Sequence, residues 1–166
     1  MTRLVIAVAM LAGCSRASEE SEAKKWQSQP PPREVTVPAG LSIAVDVDGG
    51  AKPPITADTL RAIKPDFADD ERKAWLIPTL IADAAVPGSV VEATAPSGVS
   101  IKLAHPTTDG LEPVLFLTRR GDVIVSAIDP KDPFPRYHGQ GGRLHRAGDS
   151  MPRVAPVAKL AISHLK

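Results

Sequence analysis

From Leu41 onward the chain sets Leu41, Ile43, Val45 and Val47 at every second position, with Ser42, Ala44 and Asp46 between them. Side chains alternate across a strand, so this spacing lines four aliphatics along one sheet face and does not suit a helix. Asp48-Gly49-Gly50 predicts the turn that ends the run. The same pattern recurs further along. Val90–Thr94 and Val99–Leu103 flank Pro96-Ser97-Gly98, and Val114–Leu117 and Val123–Ile128 flank Thr118–Asp122. Both sets read as hairpins closed by turn-forming residues. Lys159–Ser163 reads as a closing strand.

Two short helices are expected among these strands. Thr56 is placed to cap Ala57–Ile63, with Leu60 and Ile63 facing inward. Pro78 suits the first position of a helix over Thr79–Ala85, where a missing N–H is no loss. Trp75 is expected in the core. The order predicts an α+β, mostly-β fold: a compact mixed-sheet, sandwich-like domain over residues 34–166. Hydrophobic residues make up 43% of the chain, enough for a globular core. No repeat appears at solenoid or propeller periods. With Lys+Arg 20 against Asp+Glu 19, there is no surplus with which to neutralise phosphates, and nucleic acid is not an expected partner.

The first residues concern location. Arg3 precedes the apolar run Leu4–Leu11, followed by Ala12-Gly13-Cys14. A basic start, a short apolar stretch and small residues before a cut site predict a secretory signal over 1–13. The run is about half of the ~20 residues a spanning helix needs. Leu11-Ala12-Gly13-Cys14 resembles the lipobox of bacterial lipoproteins. The resemblance implies that Cys14, the sole cysteine, carries lipid and becomes the new N-terminus. Two or more acyl chains then supply a stable anchor at ~0.8 kcal/mol per buried methylene. Ser15 follows where an Asp would favour inner-membrane retention, so the resemblance implies a lipid anchor on the periplasmic or cell-surface side, in the outer membrane rather than the inner. Residues 14–33 are charged, Ser-rich and end in Pro30-Pro31-Pro32, and read as a disordered tether. A coil of that length holds the domain roughly 25 Å from the bilayer.

Four further segments occur in a telling order: Ala74-Trp75-Leu76-Ile77-Pro78-Thr79-Leu80-Ile81, Ser97–Ile101, Pro113–Leu117 before Arg120-Gly121, and Val157–Ile162. Together they resemble the molybdopterin-binding domain of sulfite-oxidase-type oxidoreductases, over roughly residues 41–165. That family ligates molybdenum with a cysteine inside the domain, a soft thiolate donor. Here the one cysteine, Cys14, precedes the domain, and Ala74 stands where that family commonly has Gly. The resemblance therefore implies a reduced relative without cofactor that acts in binding; the alternative is a truncated molybdopterin-dependent oxidoreductase relative.

Asp129–Arg153 is the most unusual stretch. Between Pro130 and Arg153 five bases (Lys131, Arg136, Arg143, Arg146, Arg153) meet two acids (Asp132, Asp149). A long connection without periodic pattern is often functional. Gly139, Gly141 and Gly142 let backbone N–H groups converge on an anion, and the Arg143 and Arg146 guanidiniums can clamp phosphate or carboxylate beside His138. The other reading is a structural loop whose glycines make turns. His138 and His145, seven apart with Asp149 beyond, fit no standard zinc spacing. Asp66, Asp69, Asp70 and Glu71 read as a solvated turn, His105 and His164 as surface or packing residues. Arg120-Gly121-Asp122 reads as a hairpin turn. No nucleophile elbow or ordered Ser/His/Asp set is present. The expected partners are a membrane, through the lipid, and an envelope protein or a small anionic ligand.

Overall fold

Strands β1 (Ser42–Val47) and β2 (Gly50–Thr56) are joined by Asp48 and Gly49 alone. Their φ angles are 49° and 83°, so both turn residues are left-handed, which matches the twist of the strands they join. The Asp46 carboxylate accepts the Gly49 N–H at 2.8 Å and fixes the turn. The computed structural model describes residues 34–105, 107, 109–134 and 153–164. The expected signal and tether over 1–33 lie outside them.

Strand β2 escaped the sequence reading because Pro53-Pro54 contradicts a strand pattern. Its position resolves the conflict. β2 borders its sheet, and its register with β1 shifts by one residue between Ile43 and Val45, so Pro53 and Pro54 fall at the irregularity, where regular ladder pairing is interrupted.

The other strands are β3 (Phe67–Ala68), β4 (Arg72–Leu76), β5 (Ser89–Thr94), β6 (Ser100–His105), β7 (Glu112–Thr118), β8 (Val123–Ile128) and β9 (Lys159–His164). They form a five-stranded sheet, β2-β1-β9-β5-β6, and a four-stranded sheet, β3-β4-β7-β8. β9 lies parallel to β1 and antiparallel to β5, pairing Leu160 with Val45 and Ala93, and Ile162 with Val47 and Val91. Leu160 and Ile162 are fully buried. The two sheets share one core, to which the first contributes Ile43, Val45, Val91 and Leu160 and the second Trp75, Leu115, Leu117 and Val125. The fold is thus the mostly-β α+β sandwich that the alternation predicts.

In the second sheet the opposite face is apolar too. Ala74, Val114, Phe116, Ile124 and Ile128 form a second cluster, with Phe67, Leu76 and Phe134 packed against it. Burial on both faces explains why β7 and β8 read as continuous apolar runs instead of alternating ones.

Helix α1 (Ala57–Ala62) begins as expected. The hydroxyls of Thr56 and Thr59 accept each other's backbone N–H groups in a capping box, and Leu60 is buried. The helix expected over Thr79–Ala85 is divided. α2 (Ile77–Leu80) ends at Ile81, which is extended and turns its side chain into the core, and a 3₁₀ turn follows at Ala82–Ala85. Asp66 accepts the Leu76 N–H at 2.8 Å and the Thr79 hydroxyl at 3.2 Å, so part of the acidic patch anchors α2. Trp75 is core as read, and its indole N–H donates to the Ile63 carbonyl at 2.8 Å. No helix among the described residues is long and apolar enough to cross a membrane.

Since β9 alone joins the β1–β2 hairpin to the β5–β6 hairpin, a chain stopped after Ala158 should lose cooperative unfolding. Circular dichroism through a urea titration checks this; a sharp transition in the truncated chain would contradict it.

Candidate functional site

The expected anion-site residues His138, Gly139, Gly141, Gly142, Arg143 and Arg146, together with Arg136 and His145, lie outside the described residues, as does Cys14. The described chain shows how the two ends of their stretch are held.

At the first end, β8 finishes at Ile128 and a tight turn follows. The Asp129 carbonyl accepts the Asp132 N–H at 3.1 Å and its carboxylate accepts the Lys131 N–H at 2.9 Å. Phe134 then lies on the outer face of the second sheet, its ring centroid 5.9 Å from that of Phe116, with the planes tilted 47°. The Arg72 guanidinium sits 4.6 Å above the Phe134 ring. Its Nε and Nη2 also donate to Asp69 Oδ2 at 3.1 and 2.7 Å. Burial alone would raise the Asp69 carboxyl, but the Arg72 hydrogen bonds and the Glu71 N–H outweigh it and hold it below its ordinary value. That contribution is present above the ordinary carboxylate range and fades as pH falls through the lowered value. Beside it, Arg119 donates to Glu71 at 2.7 Å. The acidic patch expected to be solvated thus supplies partners for two arginines.

At the second end, Arg153 is exposed and Val154 is buried. Val154 exchanges both backbone hydrogen bonds with Val125, at 3.0 and 2.9 Å, along the border of β8. The Val157 N–H reaches the Val123 carbonyl at 3.3 Å, and the Ala158 N–H then passes to the Thr94 carbonyl of the other sheet at 2.8 Å. The stretch therefore departs from and returns to the same sheet, between an aromatic pin and a two-hydrogen-bond bridge.

A second polar group closes one end of the sandwich. Ser89 of β5 stands opposite both His105 of β6 and His164 of β9. His105 Nδ1 lies 2.8 Å from Glu112 Oε2, and His164 Nδ1 lies 2.7 Å from Asp48 Oδ2. Ser89 is buried and donates its hydroxyl to the Ala84 carbonyl at 2.9 Å, which leaves it no role as a nucleophile. A carboxylate orients each histidine, for His105 one seven residues along the chain and for His164 one far off in sequence, and single-sequence spacing gives no sign of such pairs.

No cluster of three or more His, Cys, Asp or Glu side chains suited to a metal occurs among the described residues. Residues 34–166 contain no cysteine, so their donor set does not fit a cysteine-ligated molybdenum centre. Comparison with known protein families, with curated proteins and with solved structures finds no match.

If Arg72 and Phe134 act together as the pin, a double-mutant cycle with Arg72→Ala and Phe134→Ala should give a coupling of about 0.5–1 kcal/mol in urea unfolding. Strictly additive losses would remove the pin.

Proposed function

We propose that this chain is a membrane-anchored envelope lipoprotein whose small β domain binds, rather than transforms, its ligand, either a protein partner or a small anion. The observation that carries this reading is the double anchorage of the arginine- and glycine-rich stretch. Phe134 is clasped by Arg72 and Phe116 where the stretch begins, and Val154 is bonded to Val125 where it ends. Binding residues belong on connections carried by a stiff frame, and a sandwich buried on both faces of one sheet is such a frame. In this proposal Arg143 and Arg146 clamp the anion, His138 donates beside them, and the Gly139, Gly141 and Gly142 amides line the cradle. Lys131 and Arg153, both exposed at the two ends, extend the same positive field.

The anchor is the other half of the proposal. Its support is the Leu11-Ala12-Gly13-Cys14 tetrad after a basic start and a short apolar run. With the signal removed, 19 bases face 19 acids, so the lipid, not the protein's charge, would hold the domain at the bilayer.

Two measurements test the halves separately. Inorganic phosphate should raise the melting temperature of the wild type, because a ligand stabilises only the state it binds. Arg143→Ala with Arg146→Ala should abolish that rise, and an undiminished rise would exclude the site. For the anchor, mass spectrometry of the mature chain should find an N-terminal lipid-modified Cys14, and Cys14→Ala should move the protein from the detergent to the aqueous phase on phase separation. A bare thiol on a chain still starting at Met1 would refute it.

A further inference from the structure

His164 is the final described residue of β9, and three parts of the chain converge on it. Its backbone N–H donates to Asp48 Oδ1 at 3.0 Å, and its Nδ1 lies 2.7 Å from Asp48 Oδ2. Its Nε2 lies 3.0 Å from the backbone carbonyl oxygen of Asp83, in the 3₁₀ turn. An ionised carboxylate and a carbonyl can only accept hydrogen bonds. Both ring nitrogens must therefore donate at once, and only the imidazolium can do so.

We infer that His164 is a proton-operated latch: charged, it ties the end of β9 and the β1–β2 turn to the 3₁₀ turn; neutral, it lets go of the 3₁₀ turn. When the ring loses a proton, the remaining one stays on Nδ1, where the carboxylate is the stronger acceptor. Nε2 then presents a lone pair to the Asp83 carbonyl, and a contact that held becomes repulsive. The 3₁₀ turn keeps its other ties, the Ser89 hydroxyl to the Ala84 carbonyl and the buried Ala84 side chain, so the release is local.

The charged groups around the ring agree with this. The β1–β2 turn contributes Asp48. The Asp83 carboxylate on the 3₁₀ turn has Lys52 of β2 at 3.9 Å, which tempers its negative charge. Asp46 of β1, whose carboxylate accepts the Gly49 N–H of that turn, has Lys159 at 4.0 Å. β5 presents the neutral Ser89, across which stands His105 with its own Glu112. The hydrogen bond that the ring donates to Asp48, followed by the one it donates to the Asp83 carbonyl, holds the imidazole above its ordinary value of 6.5. A raised value in the folded chain means that the latch contributes fully below the ordinary value and fades as pH rises through the folded one.

The test is an NMR titration of the His164 ring nitrogens in the full chain, with amide exchange, corrected for its intrinsic pH dependence, followed at Ala84, Ser89 and His164. Two variants accompany it. His164→Gln has one side-chain donor group and no charge at any pH. Asp48→Asn suits the left-handed turn and keeps an acceptor for the backbone N–H, but removes the carboxylate. The expected result is a ring protonated at both nitrogens through the ordinary histidine midpoint, with a severalfold loss of protection at Ala84 as it titrates. Asp48→Asn should shift that titration down, and His164→Gln should make exchange independent of it. A ring that titrates at or below the ordinary value overturns the latch. So does Ala84 protection that stays level through the titration in the wild type, or that follows the same course in both variants.

Discussion

Strand β9 is held by two ladders at once, parallel to β1 and antiparallel to β5, and most of the domain depends on that insertion. Without it the five-stranded sheet is two separate hairpins. With it, Leu160 and Ile162 lie at the centre of the shared core, and the side chains of the second sheet have a continuous surface to pack on. The strand arrives from the other sheet. Residues 154–158 first bond to the border of β8 and then to Thr94 of β5, so the same few backbone hydrogen bonds stitch the layers together. They also fix where the arginine-rich stretch ends.

The proposed anion site and the proposed His164 latch would both lie at the margins of a stiff body. The sandwich interior is apolar, and every buried side-chain polar atom among the described residues has a partner. Polar work is left to the edges: an arginine clasped between an acid and a ring on the outer face, and histidine–carboxylate pairs at one end. Breaking an edge contact costs little elsewhere, which is what a part that must respond to a ligand or a proton requires.

Much of this could be read from residue order, and the exceptions have physical causes. The alternation at 41–47 and the glycine turns at 49, 98 and 121 located β1 and both later hairpins, because these signals are local. β2 was hidden by its prolines, which only a border position tolerates. β4 was hidden because Trp75 and its neighbours are apolar on both faces and lead directly into Ile77-Pro78. The break at Ile81 follows from the pull of the core on one side chain, not from helix propensity. The pairs His164–Asp48, His105–Glu112 and Arg119–Glu71 join residues brought close by the fold, and no spacing rule reaches them. Of the anion-binding hypothesis, the sequence offered the residues and the structure offers the posts on either side of them.

Pro53 and Pro54 carry one more consequence. A sheet margin invites recruitment by a neighbouring chain, since its unpaired amides and carbonyls form a ready template. Along β2 two adjacent residues lack an N–H and the register slips beside them, so this margin offers an interrupted template. Where many copies crowd onto a surface, that flank resists the sideways growth that turns neighbouring domains into ribbons.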